Sequence, residues 1–254
     1  MSATAKLAWR GVSKRFDGPP VLDGLDLEAM AGRSLVIIGG SGQGKSVTLK
    51  LALGLMRPDA GSIQLDGEDI ERLPDRARRR LFSRFGVLFQ GGALFDSLTV
   101  WENVAFRLLN ADGVRRKAAR DQAVEALGRV RLDPSVADLF PGELSGGMQK
   151  RVGLARAVVA APEILFFDEP TTGLDPITAA AINALIVEQV KRLGCTAVSI
   201  THDLASARTI GDEIVLLHAG RAVWRGSPIE LDSTKDPRVR QFVDGLPNGP
   251  LTGP

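Results

Sequence analysis

The chain has 254 residues, 44% hydrophobic and 24% charged, with a formal net charge of +2, which suits one large domain or a core with one sizeable insertion. So small a charge argues against a nucleic-acid binder, whose basic residues gather in a patch or stripe. A single cysteine, Cys195, allows no intrachain disulfide, and the separated His202 and His218 do not make a zinc site.

The first residues, MSATAKLAWRG, lack the apolar run of a secretion signal, and no stretch reaches 18 uninterrupted apolar residues. The expectation is a chain that does not span a membrane but could dock on a protein that does. Further on, SLVIIGG (34–40) reads as a buried strand ending in glycine. KSVTLKLALGLM (45–56) predicts a helix stopped by Pro58 and Gly61, and GSIQLDG an outer strand between turns. The basic run RARRRLFSR (76–84) predicts a solvated helix face, and RFGVLF a strand leading to Gln90.

Residues 91–160 carry helical spacing, as in RRKAARDQAVEALGRV, and predict a helical subdomain. A buried strand, EILFFDEP (163–170), precedes the helix ITAAAINALIVEQVKRLG, with Gly194 placed to cap its end. Cys195 is expected in the core ahead of the strand TAVSIT (196–201), and EIVLLHAG (213–220) is a further strand after an intervening helix. This alternation predicts an α/β core, about 1–90 and 161–232, around a mostly parallel sheet. Beyond residue 232 the Pro- and Gly-rich sequence predicts a short helix and a loose tail, about 233–254.

Three segments carry chemistry. GGSGQGKS (39–46) fits G-x-x-x-x-G-K-S between a strand and a helix. Gly39, Gly40, Ser41, Gly42, Gln43 and Gly44 would curl backbone N–H groups around phosphate oxygens at a helix N-terminus. Lys45 can reach the β- and γ-phosphates, Ser46 can ligand Mg²⁺, and Val47 offers only its backbone N–H. ILFFDE (164–169) places Asp168 to hold Mg²⁺ and Glu169, on the other side of the strand direction, to accept a proton from attacking water. His202 and Gln90 both follow strands. His202 fits either a contact to the γ-phosphate or attacking water, or polar punctuation, and Gln90 either a ligand to Mg²⁺ or that water, or a surface amide. The turn in PGELSGGMQKRV opens an amphipathic helix that presents no lysine or acid placed to do chemistry nearby.

Taken in order, these pieces resemble the ATP-binding subunit of an ABC transporter over nearly the whole chain. GGSGQGKS looks like the Walker A loop, LFQ the Q-loop ending in Gln90, LSGGM the signature and ILFFDE Walker B; GLDP looks like the D-loop, and ITHD carries the switch histidine, His202. The resemblance implies a P-loop NTPase fold: a RecA-like parallel-sheet core, an antiparallel β subdomain and an ABC helical subdomain. It implies ATP and Mg²⁺ as cofactors, with Glu169, His202 and Gln90 catalytic and Phe16 stacking on adenine in a chain without tyrosine. It also implies a head-to-tail homodimer, in which Ser145, Gly146, Gly147 and Asp175 meet the ATP held by the other subunit.

A narrower similarity, in FQGGALFDSLTVWENVAF (89–106), the signature ending in Met148, GLDPIT and DPRVRQFVDGLPNGP, is to the ATPases of Mla phospholipid transport systems. It implies work at the cytoplasmic side of the inner membrane beside a permease (MlaE-like), an MCE lipid-binding protein (MlaD-like) and a STAS-domain protein (MlaB-like). The segment after Gln90 would meet the permease's coupling helix. The generic signature has Gln where Met148 stands, with Gln149 following here. Two other readings remain: an importer ATPase for amino acids or metal chelates, and a soluble ABC ATPase acting on ribosomes or DNA. Against the second stand a single Walker A, no sustained heptads and no basic stripe.

Overall fold

A computed structural model describes residues 5–252, so the first four residues of MSATAKLAWRG and the last two of the tail lie outside it. The chain divides into two compact units, the described residues of Met1–Phe82 with Thr196–Pro254, and Ser83–Cys195.

In the first unit, β1 (Ala5–Arg15) and β2 (Pro20–Met30) form a long antiparallel hairpin, with Leu7 opposite Ala29 and Trp9 opposite Leu27. β4 (Ala60–Leu65) pairs with the other edge of β1, and the two-residue β5 (Glu68–Asp69) follows it, giving the order β2-β1-β4-β5. Leu7, Trp9, Leu22 and Leu25 of the hairpin and Ile63 of β4 are fully buried. The second sheet of this unit runs β10-β9-β3-β8. Here β3 (Ser34–Ile38) lies parallel to β8 (Thr196–Ile200) on one side and β9 (Glu213–His218) on the other. Every residue of β3 and β8 is buried, which explains their unbroken apolar runs. β10 (Arg221–Gly226) returns antiparallel to β9.

Helix α1 (Lys45–Ala52) ends earlier than Pro58 and Gly61 suggested. Gly54 at φ 65° turns the chain, with Gly54 N–H donating to Leu51 O (3.0 Å) and Leu55 N–H to Lys50 O (2.9 Å), a Schellman-type stop. α2 (Asp75–Phe82) buries only Leu81 and is the solvated basic helix expected. α7 (Leu204–Ile210), α8 (Pro228–Ser233) and α9 (Pro237–Asp244) complete the unit.

The tail is not loose up to residue 252. Gln241 of α9, 4% exposed, donates from Nε2 to Thr252 Oγ1 (3.1 Å) and Leu246 O (3.3 Å), and its Oε1 accepts from Leu251 N–H (2.7 Å). One buried amide folds residues 246–252 back on the helix, because a buried polar side chain needs partners and the tail's backbone supplies them.

In the second unit, β6 (Phe85–Leu88) lies parallel to β7 (Ile164–Asp168), Phe85 beside Ile164 and Leu88 beside Phe167. Helices α3 (Val100–Asn110), α4 (Arg116–Arg129), α5 (Gly146–Val158) and α6 (Pro176–Leu193) belong with this pair. α5 packs closely on β6: a Cβ at Gly86 would meet Ala157 O at 2.1 Å, and one at Gly153 would meet Leu88 Cδ1 at 2.7 Å. Gly194 at φ 61° ends α6 as predicted, and Cys195 is buried.

Candidate functional site

The first unit holds the phosphate loop, His202 and Phe16. Residues 39–44 leave the C-terminal end of β3, and Gly44, at φ 99°, begins α1 with no side-chain cap and no acidic residue in the first turn. By contrast α6, α7 and α9 are capped by Asp175, Asp203 and Asp236. An uncapped N-terminus with a glycine-rich approach offers its N–H groups and partial positive charge to an anion. Glycine is required at two places. A Cβ at Gly39 would meet Leu217 O at 2.4 Å, and one at Gly44 would meet Leu22 Cδ2 at 2.7 Å and Val21 O at 2.8 Å.

The Lys45 ammonium, largely buried, donates to Gly39 O (2.7 Å) and Gly40 O (2.8 Å) and so sits within the curl of the loop. Gln43 points away from it: its Oε1 accepts from Ala219 N–H at 2.6 Å and pins the loop to the β9–β10 turn. The exposed Ser46 stands in the first turn of α1, followed by Val47. Trp9 Nε1–H donates to Thr48 O (3.1 Å), anchoring that turn to β1.

His202 is exposed and follows β8, where Thr201 N–H donates to Ile37 O (3.1 Å), two residues before Gly39. Its neighbours hold it in place: Asp203 caps α7 through Ala205 and Ser206 N–H, and Thr201 Oγ1 accepts from Asp203 N–H (3.0 Å). The histidine and the loop thus share the carboxyl ends of adjacent parallel strands, where ligands of α/β sheets bind. Phe16, 48% exposed, caps the tip of the β1–β2 hairpin with the Lys14 ammonium 5.7 Å from its ring centroid. Val21 and Leu22 of the same hairpin face Gly44.

The second unit holds Gln90, the signature and the carboxylates. Asp168 is the last residue of β7. Glu169 differs from expectation in its geometry: the strand has already ended, and its φ of 47° is left-handed. The turn, rather than strand alternation, aims its carboxylate, at a cost of about 1 kcal/mol or more that persists only where surroundings enforce it. Glu169 Oε2 accepts from Thr172 Oγ1 at 3.2 Å. Gln90 lies two residues beyond β6 with an exposed side chain.

Ser145 caps α5, its Oγ accepting from Met148 N–H (3.3 Å). Gln149, the residue displaced from the common signature, donates from Nε2 to Pro141 O (2.9 Å) and Leu144 O (3.4 Å) and so shapes the turn entering α5. A Cβ at Gly147 would meet Thr178 Cγ2 at 2.8 Å, whereas one at Gly146 would meet nothing of this chain within 4 Å. Asp175 caps α6 by accepting from Ile177 and Thr178 N–H, both at 3.0 Å. The Thr178 hydroxyl and backbone N–H hold its carboxyl below the usual Asp value.

The signature helix also carries a buried lysine: Lys150, 6% exposed, has its ammonium on the backbone Gln90 O and 3.4 Å from the backbone Glu169 O. Burial lowers its pKa, and the charges of Asp168 and Glu169 oppose that shift. The sequence signal was there in the apolar neighbours Val152, Leu154 and Ala155, which mark α5 as buried nearly all round.

Among the described residues no cluster of three His, Cys, Asp or Glu side chains could hold a metal ion alone. Of the expected ligands, Ser46 in the first unit offers a hydroxyl oxygen, and Gln90 and Asp168 in the second offer an amide and a carboxylate oxygen, all hard donors. That suits Mg²⁺, which is bound by one or two carboxylates plus substrate phosphates. No helix among the described residues is long and apolar enough to cross a membrane.

Comparison with known proteins shows the family. Residues 22–172 match the ABC transporter family. The chain is 39% identical over 242 residues to the probable ribonucleotide transport ATP-binding protein mkl of Mycobacterium leprae, covering 95% of this chain and 70% of that protein. It is 39% identical over 234 residues to the intermembrane phospholipid transport system ATP-binding protein MlaF of Escherichia coli K12, covering 91% and 86%. It is 41% identical over 243 residues to the methionine import ATP-binding protein MetN 1 of Rhodococcus jostii, covering 94% and 71%. Among solved structures, a dimeric post-hydrolysis ATP-binding cassette bound to ADP and Pi superimposes with a TM-score of 0.80 at 30% identity, covering 87% of this chain and 98% of that one.

Proposed function

The chain belongs to the ABC transporter family and is the ATP-hydrolysing component of a transport system, and from that premise we propose that its cargo is phospholipid, moved between inner and outer membranes to maintain outer-membrane lipid asymmetry. The observation that carries this reading is the 39% identity to MlaF over 86% of that protein. The 41% identity to MetN 1 favours a second reading, an amino-acid importer.

In the proposed mechanism two copies pack head to tail, a reading supported by the likeness to a cassette solved as a dimer. Residues 39–47 hold the phosphates of ATP at the N-terminus of α1, and Lys45 turns from the loop carbonyls to the β- and γ-phosphates. Phe16 stacks on adenine. Ser145, Gly146 and Gly147 of the other copy cap the γ-phosphate, with Asp175 beside them. Ser46, Gln90 and Asp168 would hold Mg²⁺, which supplies charge neutralisation at the transferring phosphoryl group. Glu169 takes the proton of the attacking water, and His202 and Gln90 fix that water and the γ-phosphate. A positioned general base contributes about 10²–10⁴ in rate.

Closure of the two copies reshapes an attached permease on the cytoplasmic side of the inner membrane. The exposed Phe95 and Phe106, ring centroids 4.6 Å apart, supply an apolar docking face in the segment that follows Gln90. An MCE lipid-binding protein and a STAS-domain protein complete the proposed assembly. The test is transport by the complex purified from native membranes through a tag on this chain. Phospholipid should pass from donor vesicles to acceptor vesicles on addition of ATP. ATP hydrolysis stimulated by an amino-acid-loaded binding protein, with no lipid transfer, would replace this reading with the second.

A further inference from the structure

Two cations of α5, the buried Lys150 and the half-buried Arg156, have no part in the mechanism above, and both grip the same piece of backbone. Lys150 places its ammonium on Gln90 O. Two turns along, Arg156 donates from one guanidinium nitrogen to Gly92 O (2.6 Å) and from the other to Ala93 O (2.7 Å). Gly92 and Ala93 are both left-handed, with φ 74° and 47°. Between the cations the loop lies against the helix, the position of a Cβ on Gly153 being 3.4 Å from Gly92 Cα. Residues 150, 153 and 156 lie on one side of the helix, three apart.

Backbone carbonyls are weak partners for a surface cation, but two desolvated cations need every acceptor they have. Burial lowers the pKa of both side chains. Pulling the loop away would cost the buried Lys150 one of its acceptors and the half-buried Arg156 both of these carbonyls, so separation is costly. The neighbouring stretch is fastened elsewhere: Asn103 of α3 holds Phe95 N–H, Phe95 O, Leu98 O and Thr99 O.

We infer that Lys150 and Arg156 are positioning residues that fasten loop 90–93 to the signature helix, so that the two move as one body. Lys150 also reaches Glu169 O, so the end of β7 is tied to the same helix. The functional consequence rests on the reading in which Ser145–Gly147 caps ATP in trans. Docking of the α5 N-terminus on nucleotide would then carry Gln90, and the chain that follows it, rigidly along. The signature and the Q-loop would act as two ends of one lever.

The test begins with a protein whose clamp is intact. Spin labels at Gly91→Cys, where a side chain meets nothing within 4 Å, and at Arg151→Cys report the separation of loop and helix. The native Cys195 does not compete, because burial raises its thiol to about 11. A single separation, unmoved by ATP, is expected; a second separation on adding ATP would overturn the inference. In Lys150→Met/Arg156→Met the distribution should broaden. Exchange of the Gly92 amide, which donates to Phe89 O, should rise about tenfold or more while α4 amides keep their rates. In the assembled complex kcat should fall about ten- to a hundredfold with the ATP affinity of the isolated chain unchanged. Lys150→Arg should restore it, and Arg156→Lys, lacking the two-pronged geometry, should not.

Unchanged exchange at Gly92 in the double variant would also overturn the clamp. If that variant fails to fold, the separation measured with the clamp intact decides alone. If instead the trans-cap reading is wrong, the separation and exchange results stand and only the kcat loss disappears.

Discussion

Gly146→Asp separates what the fold needs from what the proposed ATP cap needs. Gly146 is the first residue of α5, its φ is not left-handed, and a side chain there meets nothing within 4 Å. Helix physics favours the substitution. Replacing glycine recovers a few tenths of a kcal/mol of propensity, and a carboxylate at a helix N-terminus adds about 0.3–1 kcal/mol. The isolated chain should therefore gain roughly 0.5–1 kcal/mol, a Tm rise of about 1–4 °C for a protein of this size. Against a phosphate of another subunit the same carboxylate is repulsive. At about 5 Å and an effective dielectric of about 20, each pair of like charges costs about 3 kcal/mol, more than a hundredfold in rate. The assay pairs thermal unfolding and fluorescent-nucleotide binding of the isolated chain with ATP hydrolysis by the assembled complex. Unchanged binding, a Tm no lower and hydrolysis down a hundredfold are expected. A lowered Tm, lost binding by the isolated chain, or hydrolysis within about threefold of wild type would each refute the reasoning.

Gly44→Ala should do the reverse and damage the fold. Its left-handed φ and the approach to Val21 O add about 1–2 and 1–3 kcal/mol, and the Tm should drop by about 4–20 °C. Gln241→Ala should cost about 1–3 kcal/mol by leaving tail backbone groups unpaired, and limited proteolysis should then cut within 246–252 while the wild-type tail resists. Glu102, hydrogen-bonded first to Arg116 and also to Thr99, is held below the ordinary Glu value of 4.5. A lowered folded-state pKa stabilises above the unfolded value and is lost as pH falls through the folded one. Wild type should accordingly lose Tm below pH 4.5 more steeply than Glu102→Gln in parallel melts; equal slopes would contradict that assignment.

The parts of this molecule that were legible beforehand are those whose physics is local. GGSGQGKS between an apolar strand and a helix, ILFFDE, and Gly194 after a helical run each declare their conformation within a few residues. What escaped depends on distant partners. Gln241 looked like one more polar residue in a Pro- and Gly-rich tail, and only the folded chain brings Leu246, Leu251 and Thr252 to its amide. Lys150 and Arg156 carry no sign in the sequence of the loop they hold, since Gln90, Gly92 and Ala93 reach them only in the folded chain. Gly54 stopped α1 ahead of the louder Pro58, because a left-handed glycine ends a helix as surely as proline does. At Glu169 the residue was readable and the geometry was not, since the strand ends one residue too soon for alternation to apply.

The central claim is that Glu169 activates water in a site closed by two copies of this chain. Glu169→Gln keeps the size and the acceptor for the Thr172 hydroxyl, and removes only the base. Measured by light scattering after gel filtration in ATP and Mg²⁺, alongside phosphate release, this variant should bind ATP, form a stable dimer and turn over at least about a hundredfold more slowly than wild type. A monomer in saturating ATP, or phosphate release within a few-fold of wild type, would contradict the account.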